Sequence, residues 1–208
     1  MWEYLVGVMS EPVRTLREIA EQKLWKKGLL LLAALAILNG AVTAATVNSS
    51  QISIPDQQLS HFFSAFYAPG EFIPFVLVVN SLSWLINGAI FYGFSKLFKG
   101  TGTFAGMLAA LGFTTAPSLL SIILTALALL FGQATGSLVG FAASLVAGIW
   151  ILVLEVLAIR ESQQLDTGQA VGVLLSTLAA IFALVVIIAF LIAIFSGITA
   201  AAPGSAVG

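Results

Sequence analysis

The sequence predicts an all-α membrane protein with five transmembrane helices, its N-terminus cytoplasmic and its C-terminus outside. Three observations carry that prediction. Of 208 residues, 60% are hydrophobic and only 8% charged, with a mean hydropathy of +1.08, whereas a soluble domain carries about 25% charged residues. Five apolar stretches are each long enough to cross a hydrocarbon core of about 30 Å, which takes about 20 residues of helix. Threaded through a bilayer, these five leave every lysine and arginine on one side.

The first observation excludes a soluble enzyme, a nucleic-acid binder and a disordered chain, because too little polar side chain is present to cover a water-facing surface. There are no cysteines and one histidine, His61. No thiolate or histidine metal cluster, thiol nucleophile or disulfide framework can be assembled from them. No catalytic residue, cofactor or metal is therefore expected.

The predicted spans are residues 28–47, 73–94, 105–130, 137–159 and 171–196. Their runs are continuous and rich in Leu and Ala, without the alternation of barrel strands. Pro117 lies near the middle of the third, which reads as one kinked helix. For orientation, the N-terminal tail holds Arg14, Arg17, Lys23, Lys26 and Lys27, the turn after segment two holds Lys96 and Lys99, and the turn after segment four begins with Arg160. The connections 48–72 and 131–136 and the C-terminal end hold no basic residue. A cleaved signal peptide ending near Ala44-Ala45 is not expected, because the charged region and the apolar run are both too long for one.

Residues 1–27 are expected to form a cytoplasmic amphipathic tail, 28–196 the membrane domain, and 197–208 an outside tail. Within the tail, Ser10 is the expected N-cap of a helix over 11–27, with Pro12 in its first turn and Val13, Leu16, Ile19 and Leu24 at helical spacing. Such a helix lies on the bilayer interface or packs under the bundle, and both readings stay open. In the 48–72 connection, Asp56 would cap a short helix carrying Leu59, Phe62, Phe63 and Phe66 with Tyr67 beside them, and His61 reads as a solvated loop residue.

Small residues mark contact faces between helices in lipid. Segment four carries Gly136, Gly140, Ser144 and Gly148 at four-residue spacing, segment five Gly168, Gly172, Ser176 and Ala180, and segment three Gly102, Gly106, Ala110, Thr114 and Ser118. Packing of the last three segments is the simplest reading, against a dimer face or a conduction path. Segment two places Asn80, Ser83 and Asn87 on one face, with Asn39 and the segment-three hydroxyls as partners. This stripe is either interhelical glue or the lining of a polar cavity. Glu155 is the one ionisable residue inside an apolar run, and an acid there is a functional suspect. It sits about 7.5 Å before Arg160 along the helix. Lys96 or Lys99 is the expected ion partner rather than Arg160, which points elsewhere on the same helix. An architectural ion pair and a proton or ligand site are the two readings.

The pattern resembles the Ypt-interacting-protein (YIP) family over nearly the whole chain. The residues that carry the resemblance are Glu11-Pro12-Val13-Arg14-Thr15-Leu16 in the tail, Tyr92-Gly93, Gly112-Phe113 with Ala116-Pro117, Ile149-Trp150 through Ile159-Arg160, and Gln169-Ala170. Phe113 stands where the family element has Tyr. The resemblance implies a non-catalytic integral membrane protein. Eukaryotic members act in vesicle traffic and bind prenylated Rab-type GTPases. The short tail is closer to bacterial and archaeal members, which implies a bacterial or archaeal cell membrane, or an endomembrane if the source is eukaryotic.

The sequence thus favours a membrane scaffold or adaptor. Its expected partners are the lipid bilayer, a protein at the cytoplasmic face and a second copy of the chain, with no nucleic acid. The alternative is a small-solute or ion transporter or channel, with a polar path along segment two and Glu155.

Overall fold

A computed structural model describes the backbone of residues 1–46 and 69–201, and side chains within 1–43 and 74–194. The expected Asp56-capped helix with Leu59, Phe62, Phe63, Phe66 and Tyr67, the loop position of His61, and the tail from 202 onward lie outside the described residues. Among the described residues there are eight helices: α1 (Trp2–Ser10), α2 (Pro12–Glu21), α3 (Trp25–Thr46), α4 (Pro69–Leu97), α5 (Phe104–Thr114), α6 (Ser118–Leu129), α7 (Gln133–Gln163) and α8 (Thr167–Ala201). They supply five spans long and apolar enough to cross a membrane, with α5 and α6 together forming the third.

The N-terminal segment differs from expectation in three ways. A first helix, α1, precedes the expected one. The N-cap position of its neighbour is held by Glu11, which makes no side-chain cap bond, rather than by Ser10, with Pro12 in the first turn, while the Ser10 hydroxyl donates back to the Val6 carbonyl at 3.0 Å. The helix also stops at Glu21. The chain turns through Lys23 in the left-handed region (φ 51) before α3 begins at Trp25. Of the two readings of this tail, packing on the bundle describes α2. Thr15, Leu16, Ile19 and Ala20 are buried, and Arg14, Arg17, Glu18 and Glu21 face outward.

The third span is one stretch, Phe104–Leu129, interrupted next to Pro117. Residues 115–117 form a turn between α5 and α6. Pro117 has no N–H to give to an α-helical ladder, which favours a break there. At the opposite end of α6, Gly132 adopts φ 114, a backbone region that side chains other than glycine rarely tolerate, and this lets α7 fold back along α6.

The packed core is concentrated at one end of the bundle. Leu16 and Ile19 of α2, Val8 of α1, Met107 and Phe113 of α5, Leu154 and Ile159 of α7 and Val173 of α8 are fully buried in one cluster. α5 is enclosed by α2, α3, α4 and α7, and every residue from Gly106 to Thr114 is buried. This is also the basic end, since Lys27 lies over the Tyr4 ring, Lys96 bonds the 100–102 turn and Arg17 bonds Glu161. Along α8, by contrast, Phe182, Val185, Phe190 and Ile192 are exposed.

The physical reason for this asymmetry is the solvent on each side. Lipid tails are as apolar as leucine, so apolar side chains gain little by leaving them. Where water is the alternative, each buried Leu, Ile or Phe contributes about 1.5–3 kcal/mol.

Helix lengths locate the change of solvent. The 31 residues of α7 measure about 46 Å, more than the hydrocarbon core requires. Gly28 and Gly112 touch, a Cβ on Gly28 standing 3.2 Å from the Gly112 Cα, and Gly88 lies against Leu108 and Leu111. From this level to the far ends, α3 and α4 each run about 27–29 Å, α5 with α6 about 26 Å, and α7 from Glu155 about 33 Å, at 1.5 Å per residue. These lengths match a core of about 30 Å. The remaining helix ends, with α1 and α2 wrapped around them, form a collar at the basic end.

Candidate functional site

Two polar regions are built from these elements. The first lies between the spanning helices. A cavity of about 300 Å³ is bounded by Asn39, Asn80, Thr115, Ser118, Ser121 and Ser144, among others. The Asn80 amide donates to the Val76 carbonyl at 2.8 Å. The Ser121 and Ser144 hydroxyls are 3.2 Å apart and join α6 to α7. Asn39 and Asn80 therefore share one site. Ser83 and Asn87 do not line it and are exposed on α4. Glu155 does not line it either.

Glu155 is half-buried on α7, at the level where the collar begins. One contact between α5 and α7 sets that depth to within about one helical turn. Ser162 bonds Met107 across the helix pair at 3.4 Å; Glu155 is about 10 Å up α7 from there, and Gly112 about 7.5 Å up α5. The expected ion partners Lys96 and Lys99 are engaged or placed elsewhere, and so is Arg160. The Lys96 ammonium donates to the carbonyls of Gly100 and Gly102 at 2.9 and 2.8 Å and lies 4.6 Å from the centre of the Tyr92 ring. Lys99 is exposed with φ 67. Arg160 pairs with the adjacent Glu161. The ion pairs among the described residues are Arg14–Glu11, Arg17–Glu161 and Arg160–Glu161.

Glu161 is the centre of the second region, at the tip of the collar. Its side chain is 4% exposed, with Arg17 Nε at 2.7 Å from one oxygen and Arg160 Nη2 at 2.7 Å from the other. Arg160 also donates to the Thr167 hydroxyl at 3.2 Å, tying the end of α7 to the start of α8. Beside it, the fully buried Gln163 accepts from the Ser95 hydroxyl at 3.3 Å and donates to the Thr103 carbonyl at 3.3 Å. Its own carbonyl accepts from the Thr101 N–H at 2.9 Å. The Thr101 hydroxyl donates to the Gln164 side chain at 2.8 Å. Gly102 sits directly on the Ser162 carbonyl, where a Cβ has no room. The 98–103 turn is thus clamped to the end of α7, and α2 is fastened over both by Arg17. Between them opens a cavity of about 680 Å³ lined by Arg17, Lys23, Arg160, Glu21 and Glu161, with the Thr101–Thr103 turn on another wall.

The residues behind the sequence resemblance have packing roles. Tyr92 meets Phe104 edge to face at 5.6 Å. Gly93 has nothing within 4 Å of where a Cβ would stand. Gly112 lets α5 touch α3 at Gly28, and Phe113 is buried with its ring 6.0 Å from that of Tyr4. Pro117 ends the turn before α6. Among the small residues, Gly136 packs on Leu129, Gly140 on Thr125 and Gly172 on Phe98, while Gly148 has open space and Gly168 meets only Asp166.

Five apolar spanning helices with a collar at the basic end define a multi-pass helical membrane protein of the bilayer. The profile of the Yip1 domain matches residues 6–190, and the chain belongs to the Yip1 domain family. No curated relative and no solved structure matches it.

Proposed function

We propose that the protein is a non-enzymatic membrane scaffold or adaptor that presents the collar to the cytoplasm as a docking platform, in the service of membrane organisation or trafficking. The observation that supports this reading is the concentration of the packed core at the basic end. Two helices that do not cross the bilayer, α1 and α2, are packed with the ends of α5 and α7. A rigid surface with charged residues on its outer side suits protein contact better than catalysis. The excess of basic residues on that side favours a cytoplasmic location.

A photo-crosslinker at Arg14, Glu18 or Lys23 in cells is expected to give a discrete adduct, and one at Leu184 or Ile188 is not. The adduct should also fade on charge reversal at Arg14. Adducts of equal yield from both regions would count against a docking platform. A reporter fused at Gly208 is expected to be active outside, and cytoplasmic activity would reverse the orientation.

The second reading, a transporter or channel, rests on the Asn39–Asn80 cavity. In liposomes with ion-sensitive dyes, the scaffold reading expects flux no greater than in protein-free vesicles. Flux that disappears in Asn80→Leu or Glu155→Gln would establish the conduit instead.

A further inference from the structure

One apolar surface is not accounted for by the packing of the collar. α1 turns Tyr4, Leu5 and Val8 inward against the core. A second face carries Trp2, Val6 and Met9, which are 70%, 47% and 42% exposed, with the exposed Glu3 and Ser10 along its outer edge. These three positions recur at i, i+4 and i+7 and so form one stripe, which Val13, also exposed, continues beyond the corner at Glu11. A helix facing water in this position would carry polar residues there.

The height of α1 explains the stripe. Tyr4 touches Phe113 and lies under the Lys27 ammonium at 5.1 Å, so α1 runs at the level where the hydrocarbon core begins rather than at the tip of the collar. Met9 goes deeper. It lines a groove of about 660 Å³ between α6 and α7 together with Pro117, Leu120, Leu124, Val146 and Trp150. Pro117 and Trp150 each lie five positions inside the Gly112–Glu155 level, about 7.5 Å into the core at 1.5 Å per residue. Leu120, Leu124 and Val146 are exposed and belong to spanning helices, so the groove opens on lipid. Trp25 and Lys26, whose ammonium is 5.6 Å from the Trp25 ring, lie beside Lys27 and complete an aromatic and basic belt of the kind that marks a headgroup region.

We propose that α1 is an in-plane interfacial helix, embedded by Trp2, Val6 and Met9 in the leaflet at the basic end, and that the groove beneath Met9 holds an acyl chain of a phospholipid of that leaflet. Amphipathic helices that lie on a bilayer bury their apolar face about 5–10 Å into the headgroup and acyl boundary, the depth that Met9 reaches. The collar is then held to the membrane surface along its rim as well as by its spans.

The absence of cysteine makes the test direct. Single-cysteine variants Val6→Cys, Met9→Cys and Glu21→Cys are labelled with an environment-sensitive fluorophore in vesicles of phosphatidylcholine and phosphatidylglycerol. All three positions are exposed, so the fold is expected to be kept. Labels at 6 and 9 should be quenched by shallow spin-labelled phospholipid about threefold more than the label at 21, which aqueous iodide should quench instead. Equal iodide quenching at all three positions would overturn the interfacial placement. For the groove, Ala143→Phe or Val146→Phe fills the space and should about halve quenching of the position-9 label by phospholipid spin-labelled deeper in its chain, leaving position 6 unchanged. Unchanged quenching at position 9 in both variants would overturn the acyl slot.

Discussion

Substitution of Gly112 by alanine is expected to destabilise the protein by about 2–3 kcal/mol, and by leucine to prevent a folded monomer from forming, because overpacking without room to relax is costly. A Cβ at position 112 would stand 2.7 Å from the Gly28 Cα and 3.0 Å from its carbonyl carbon. Both neighbours are backbone, so no side chain can swing away. The only relief is to part α3 from α5, and that opens the cluster around Phe113 and Tyr4. Gly28→Ala should be milder, since its Cβ would meet the Gly112 Cα at 3.2 Å. Gly148→Ala and Gly93→Ala, with nothing within 4 Å, should be neutral or stabilise by up to about 1 kcal/mol through the lower helix cost of alanine. Thermal unfolding of the four variants in one detergent checks the order. A Gly112→Ala melting temperature equal to that of Gly148→Ala would mean that α3 and α5 do not meet as described.

The same contrast shows what a sequence of this kind makes legible. Five spans can be read because hydropathy over about 20 residues is a long and redundant signal, and the basic end of the bundle because eight basic residues cluster on a few connections. The small-residue stripes are equally visible, yet their members differ. Gly140 and Gly172 are close contacts, and Gly148 borders a cavity. Spacing alone cannot separate them, since it describes one helix and the contact depends on its neighbour. α1 is missed for a related reason. Trp2-Glu3-Tyr4-Leu5-Val6-Gly7-Val8-Met9 is apolar on both faces, one facing the core and one open, so no amphipathic period marks it.

The polar residues teach the converse. Glu155 stands out because leucines and valines surround it in the chain, although it lies near the collar. Glu161 attracts no attention between Arg160 and Ser162, where it reads as a solvated helix end. Its burial depends on Arg17, 144 positions away, and on α2 folding across the end of α7. Asn80, Ser83 and Asn87 do share a face, but only Asn80 reaches the region where α3 brings Asn39.

Loss of the Glu161 carboxylate is therefore expected to have the second large effect. Glu161→Ala leaves Arg160, whose side chain is 24% exposed, without its counter-charge, while Arg17, at 60%, can turn to water. Removing one partner of a buried pair typically costs about 3–5 kcal/mol. Since one of the two arginines can rehydrate, about 2–3 kcal/mol is the expected loss here. Glu161→Gln keeps the shape and one acceptor oxygen, and should cost roughly half as much. Arg17→Ala should cost about 1 kcal/mol or less, in the range of exposed ion pairs, and should act locally. Without its anchor α2 is expected to lift from α7, so that protease cleavage between α2 and α3 near Lys23 rises while the spans stay protected. Glu155→Gln is the comparison that separates the two acids. It breaks none of the ion pairs of the collar, and should leave both the melting temperature and the cleavage pattern close to those of the parent protein. If Glu155→Gln matched Glu161→Ala in both measurements, the acid that holds the collar together would have to be sought at position 155 after all.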